Sequence, residues 1–355
     1  MKKEHNGIIS FWKFMFSLMI IALHLGFLHS EAKYNFSGGS IGVDFFFLVS
    51  GCLFCKKVLS YKKIENDLGK ESANFILKKI KRFLPYILFL WAFSVPYGFI
   101  VEKYRLWDFI SGFYNLLYLS VSNIKIYDFY GITWYIVSMI IVESILFPIL
   151  IKYRKNFIYI FSPLIVFFGI NYLYIRCGTI AATWTRDIFC YGGIVRGFTI
   201  MNLGLIIYLV SEKLKMIRLS DFSKFILTLI EIIGYLSIFI ICNKSNSHIR
   251  FDCLMIILMS ISIIISFSKQ SLLYEFSNNK LFFFLEKISL PIYINQWALI
   301  YMIEYFLKKL NITISYYKEL LLIIVISMAF AYITILVINF IQKRSESIKK
   351  VFINE

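Results

Sequence analysis

The stretch Lys13-Phe-Met-Phe-Ser-Leu-Met-Ile-Ile-Ala-Leu-His24 and the following Gly42-Val-Asp-Phe-Phe-Phe-Leu-Val-Ser-Gly51 decide the fold class. Both are apolar segments of membrane type, yet they contain the ionisable residues Lys13, His24 and Asp44. Ionisable side chains at membrane depth are rare and indicate a functional site. Eleven positions separate Lys13 from His24. Because a helix turns about 100° per residue, both residues are predicted to lie on one helix face, ~16 Å apart.

The composition of the whole chain is that of a polytopic membrane protein. Of its 355 residues, 59% are hydrophobic and the mean hydropathy is +0.73, against roughly 45 to 50% apolar residues in soluble domains. The net charge of +17 comes from positive residues that cluster between apolar segments. This pattern suits an anionic lipid surface and not one basic face for nucleic acid. We therefore predict an all-α transmembrane helix bundle.

About ten transmembrane helices are predicted, each of roughly 17 to 25 mostly apolar residues. They cover residues 8–28, 41–59, 80–100, 130–151, 157–175, 188–210, 225–242, 251–267, 281–306 and 318–341. Residues 106–120 are apolar but short and interrupted, so they are predicted to be interfacial or re-entrant. No linker or repeat separates a second domain, and we expect one membrane domain over residues 1–355 with no cleavable signal peptide.

Lysine and arginine are distributed unequally between the two sides of this predicted topology. One side carries 26 of them and the other 11, and the remaining one, Arg196, lies within a span. Cytoplasmic connections are enriched in positive residues. Both termini are therefore predicted to be cytoplasmic, with the chain in the plasma (inner) membrane.

Four segments together resemble the integral-membrane acyltransferases of the acyltransferase 3 family. In that family an arginine precedes a histidine by eleven positions, and a Gly-Val-Asp-Leu-Phe-Phe-Phe-x-Ser-Gly run follows. Residues 78–85, KKIKRFLP, are similar to its Arg-Arg-x-x-Arg-Ile-x-Pro signature, and residues 288–297, ISLPIYINQW, to its Ile-Ser-Tyr-Ser-Ile-Tyr-Leu-x-His-x-Pro signature. Lys13 departs from the family's first arginine, and Gln296 stands where many members have histidine.

The resemblance implies a membrane O-acetyltransferase without a tightly bound cofactor. Its donor would be acyl-CoA, most simply acetyl-CoA, and its acceptor a hydroxyl of a cell-surface polysaccharide or glycolipid. His24 would be the catalytic base and Asp44 its orienter, and the donor would lie near Lys13, Lys81 and Arg82. The remaining partners would be membrane lipids, and no nucleic acid is expected.

Each of these residues also has a plain structural interpretation. His24 can be a packing histidine, Arg82 a positive-inside anchor, and Lys13 a side chain that snorkels to the interface. A further set can bind substrate or only join helices: Ser50, Glu143, Arg196, Tyr293 and Gln296. Within that set, Glu143 is a plausible partner for Arg196.

Metal and redox chemistry are not predicted from the sequence. Cys52-x-x-Cys55 lacks a second ligand pair and fits a buried structural role, so no metal site is expected. The alternative function is a transporter or flippase of lipid-linked oligosaccharide, but that class predicts paired halves with broken helices, and no such symmetry is visible. A third possibility is a structural or regulatory membrane protein.

Overall fold

The computed structural model describes residues 5–29, 35–61, 67–100, 112–114, 116–119, 121, 132–183, 191–243 and 250–353. Within these residues the chain forms α-helices and no β-strand. The helices are α1 (Gly7–Gly26), α2 (Ile41–Ser60), α3 (Leu68–Ile100), α4 (Trp134–Cys177), α5 (Gly192–Lys215), α6 (Asp221–Cys242), α7 (Asp252–Ser268), α8 (Leu273–Phe276), α9 (Lys280–Lys309) and α10 (Tyr316–Ile353). The predicted all-α class is confirmed.

Five of the described helices are long and apolar enough to cross a membrane. They are α1, α4, α5, α6 and the portion Tyr316–Arg344 of α10, while α7 is apolar but shorter. The predicted number of ten spans stays a prediction. Most of the predicted interfacial segment lies outside the described residues, at 106–120. The same is true of the starts of two predicted spans, at residues 130 and 188.

The helix α4 contains a break between two segments. Arg154 has φ 44° and ψ −123°, which no helical residue adopts, and it falls between the predicted spans 130–151 and 157–175. Before the break, residues 134 and 138 lie against residues 193 and 197 of α5 in the same order. After the break, residues 162 and 169 contact residues 202 and 199 of α5 in reverse order. The two segments of α4 therefore run antiparallel.

Other helix pairs have directions that agree with alternating spans. Helix α1 runs parallel to α9, and α2 runs parallel to α5, whereas α6 and α7 are antiparallel. Helices α2 and α5 cross closely at Gly51 and Gly204, where a Cβ on Gly51 would lie 2.3 Å from the carbonyl oxygen of Met201. Only glycine fits such a crossing, as at small-residue helix contacts in membranes.

Sequence-local signals explain where the helices start. The Asn6 side chain accepts a hydrogen bond from the Ile9 amide at 3.2 Å, and Asn279 caps α9 in the same way. An asparagine at this position satisfies an amide that has no partner within the helix. The helix α3 begins at Leu68, twelve residues before its predicted span 80–100. Its lysine-rich first part extends the helix beyond the apolar segment on which the prediction rested.

Candidate active site

The imidazole of His24 lies between α1 and α9, in the last turn of α1. Its ring meets the ring of Trp297 edge-on, with centroids 4.5 Å apart. The carboxamide of Gln296, which is fully buried, lies beside the imidazole, and its Nε2 donates to the carbonyl oxygen of Tyr293 at 3.1 Å. Nδ1 of His24 and Oε1 of Gln296 are buried and have no partner among the described residues. Two polar atoms are thus available for a bound molecule.

The predicted polar stripe of α1 is confirmed by its contacts with α9. Lys13 Nζ lies 3.7 Å from Glu286 Oε1, and His24 lies against Trp297. Both helices therefore present residues eleven positions apart to each other. The carboxylate of Glu286 also contacts Nε2 of His5 at 3.0 Å. Lys13 is half-buried in this ion pair near the N-terminal end of α1.

Asp44 does not orient His24, as the resemblance implied, because its carboxylate is occupied by Arg196. Arg196 Nε donates to Asp44 Oδ1 at 2.7 Å, and Nη2 donates to Oδ2 at 2.6 Å. Both side chains are 0% exposed. Such a bidentate, buried pair satisfies both charges, and no described contact joins Asp44 to His24.

The remaining donors of Arg196 are also used. They bind the Ala181 carbonyl at 3.0 Å, the Thr183 hydroxyl at 3.1 Å and the Ser40 carbonyl at 2.8 Å. With the two bonds to Asp44, all five N–H groups of the guanidinium have an acceptor. Arg196, which the sequence places within a span, is fully buried in the interior of the bundle. The prediction that Glu143 is its partner is wrong.

Glu143 instead binds a residue of the lysine-rich segment in α3. Lys79 Nζ lies 2.8 Å from Glu143 Oε1, and the glutamate is 1% exposed. The charges of Lys57 and Arg82 also act on this carboxylate. Arg82 is exposed, with its guanidinium 5.7 Å from the Phe83 ring centre. A second oxygen of Glu143, Oε2, is buried without a partner among the described residues.

Lys57, Lys79 and Arg82 form a basic group around Glu143. Two of its residues were not singled out from the sequence. Lys57 lies at the end of α2, with Nζ 4.3 Å from the Phe75 ring centre, and Lys79 pairs with Glu143. Lys81 is exposed and has no described contact with Glu143. Helical spacing could have identified Lys79, because residues three apart share a helix face and Lys79 precedes Arg82 by three. No comparable sequence signal indicated Lys57.

Hydroxyl groups lie between the basic group and His24. The Ser50 hydroxyl and the Tyr135 hydroxyl are 2.9 Å apart, which joins α2 to α4. The rings of Tyr135 and Tyr293 are 5.7 Å apart, and Tyr293 donates to the Ile132 carbonyl at 3.0 Å. Since Tyr293 is one turn before Gln296 on α9, these contacts extend a polar line from α4 towards the imidazole.

The fold and this site define a membrane helix bundle that holds a histidine and basic residues in its interior. The chain belongs to the acyltransferase 3 family: the family model described as an acyltransferase domain matches residues 6–339. The protein is therefore an acyltransferase, which confirms the resemblance. No curated protein and no solved structure matches the chain significantly.

Proposed function

We propose that this acyltransferase transfers an acetyl group from acetyl-CoA to a hydroxyl of a cell-surface polysaccharide or glycolipid, with His24 as general base. The observation that carries the proposal is the buried Nδ1 of His24, which has no partner among the described residues and lies in an imidazole beside Gln296. A neutral imidazole can take a proton from a hydroxyl. Membership of an acyltransferase family supplies the reaction class.

The proposed transfer needs only one proton acceptor in the protein. Nδ1 of His24 removes the proton of the acceptor hydroxyl while its oxygen attacks the acetyl carbonyl carbon. The carbon–sulfur bond of the thioester breaks, and the departing thiolate takes the proton back from the imidazolium. Acetyl has then moved from sulfur to oxygen, with free coenzyme A and the acetylated glycan as products.

The donor is proposed to enter at the basic end of the bundle. Lys57, Lys79 and Arg82 lie there, together with the exposed Lys81. Ammonium and guanidinium groups suit the phosphates of coenzyme A. Lys13 lies eleven residues before His24 on the same face of α1, so an extended pantetheine arm can run along α1 to the imidazole, ~16 Å further on.

The decisive experiment follows labelled acetyl-CoA in membranes that contain the protein. The wild type is expected to move the label to a glycan or glycolipid, and His24→Ala should lower that rate by about 10²- to 10⁴-fold, the usual loss with a general base. The protein must be present in membranes at equal amounts. Transfer near the wild-type rate in His24→Ala would reject the assignment of the base.

A matched variant distinguishes the loss of the proposed base from a nonspecific effect of replacing a histidine. His248→Ala removes a histidine that the sequence places in a connection between predicted spans, and it should transfer label at the wild-type rate. If donor hydrolysis occurs but no glycan or lipid is labelled by the wild type, the proposed acceptor class is wrong while the acyltransferase class stands.

A further inference from the structure

A histidine and two glutamates from three parts of the chain meet at the end of the bundle that lies beyond His24. His29 follows α1, Glu304 lies near the end of α9, and Glu319 lies in the first turn of α10. Nε2 of His29 is 2.9 Å from Glu319 Oε2 and 3.4 Å from Glu304 Oε1. One ligand atom from each residue lies within 4.8 Å of the other two.

The cluster is largely shielded from solvent, and one of its oxygens has no partner. The side chains of His29, Glu304 and Glu319 are 13%, 12% and 2% exposed. Oε1 of Glu319 is buried and accepts no hydrogen bond from the described residues. Burying a carboxylate oxygen without a partner is unfavourable, and a bound cation would supply that partner.

Two other groups face the cluster from the adjoining helices. Lys308, which is largely exposed, lies 2.9 Å from Glu304 Oε2, whereas His29 lies near Oε1. The ring of Tyr316 meets the His29 ring edge-on, with centroids 5.8 Å apart, while its hydroxyl donates to the Ala22 carbonyl. Neither group contacts Oε1 of Glu319, so a cation between the three side chains would give that oxygen a partner.

We propose that His29, Glu304 and Glu319 bind one divalent transition-metal ion of the Zn²⁺ type. An imidazole nitrogen with two carboxylate oxygens is a ligand set for zinc, whereas Mg²⁺ and Ca²⁺ favour sites of oxygen alone. Ligands about 2.0 to 2.2 Å from a zinc ion lie roughly 3 to 4 Å apart, which is close to the separations in this cluster.

The proposed site is distinct from the acyl-transfer site and does not depend on it. His29 is five residues after His24, and Glu304 is eight residues after Gln296, which places the cluster ~12 Å further along α9. A metal bound there would join the end of α1 to α9 and α10. Three protein ligands also leave coordination positions open for water or for a ligand oxygen.

The test uses the full-length protein, purified without a histidine tag, treated with a chelator and titrated with ZnCl₂ by calorimetry. We expect one zinc ion per chain and a higher unfolding temperature with zinc. Both His29→Ala and Glu319→Gln should weaken binding by more than 10- to 100-fold, the typical cost of losing a residue that only supports a ligand. Gel filtration establishes whether each variant is folded. If His29→Ala does not fold, the test rests on Glu319→Gln, which keeps the size of the side chain.

The control is the other histidine–glutamate pair, His5 with Glu286, which has no second carboxylate beside it among the described residues. His5→Ala should bind zinc as tightly as the wild type. The proposal is overturned if the folded wild type binds no zinc at millimolar concentration, which would leave the cluster as an ion-pair network only. It is also overturned if His5→Ala loses the zinc, or if Ca²⁺ binds as tightly as Zn²⁺.

Discussion

Gln296 is the residue at which this chain departs most clearly from its family, and its surroundings limit what it can do. It is fully buried on α9 and lies beside the imidazole of His24. A carboxamide donates and accepts hydrogen bonds but takes up no proton at neutral pH. In the proposed reaction all proton transfer therefore falls to His24, and Gln296 holds the imidazole in position.

This division of roles predicts a larger loss of activity for one substitution of Gln296 than for another. Gln296→Leu removes the polar contact with the imidazole, and a net loss of about 0.5 to 1.5 kcal/mol should lower kcat about 2- to 10-fold. Gln296→His restores a group that can hydrogen-bond His24 and should retain substantial activity. Rates of labelled acetyl transfer in both variants check this. Unchanged activity in Gln296→Leu would show that the carboxamide does not position the imidazole.

Sequence reasoning placed single residues on helix faces better than it identified their partners. The stripe of Lys13 and His24 follows from helical geometry alone, and both residues contact α9 as that geometry requires. The partner of Asp44, however, lies 152 residues away, and that of Glu143 lies 64 residues away. Such pairs depend on which helices pack together, which one sequence does not reveal. The cluster around His29 was missed for the same reason, since His29 and Glu319 are 290 residues apart.

At the scale of helices, two features join α2 to α5. The close crossing at Gly51 and Gly204 brings the backbones together, and the pair of Asp44 and Arg196 locks the two helices near their N-terminal ends. The apolar segments that became these helices were visible in the sequence. The break at Arg154 was visible as well, because charged residues interrupt the apolar sequence there. Which helices pack against each other was not visible in the sequence.

The pair of Asp44 and Arg196 should couple strongly in stability measurements. Asp44→Asn and Arg196→Met each leave one buried partner uncompensated, which typically costs roughly 3 to 5 kcal/mol. The double variant leaves neither charge unpaired, so its loss should be clearly smaller than the sum of the two single losses. Thermal unfolding of the purified protein in detergent measures all four forms. Additive losses would mean that the two side chains do not stabilise each other.

At the scale of the whole molecule, the polar residues divide between two ends of one bundle. The ion pairs of Lys13 with Glu286 and of Lys79 with Glu143 lie near the N-terminal end of α1. His24 and the cluster around His29 lie towards its C-terminal end. The proposed donor, which carries phosphates, and the proposed acceptor, a surface glycan, would approach such a protein from opposite sides of the membrane. The orientation in the membrane decides which end meets which substrate.

The predicted orientation places the basic end in the cytoplasm, because lysine and arginine are concentrated on that side. The antiparallel α6 and α7 offer a direct test, since the connections before and between them should lie on opposite sides. A reporter inserted at residues 216–220 is expected to report the cytoplasm, and one inserted at residues 244–249 the exterior. Enzymatic reporters active on only one side of the membrane distinguish the two positions. The reverse pattern would put His24 at the cytoplasmic end and the basic group outside, where no coenzyme A is available, and the proposed path of the donor would be wrong.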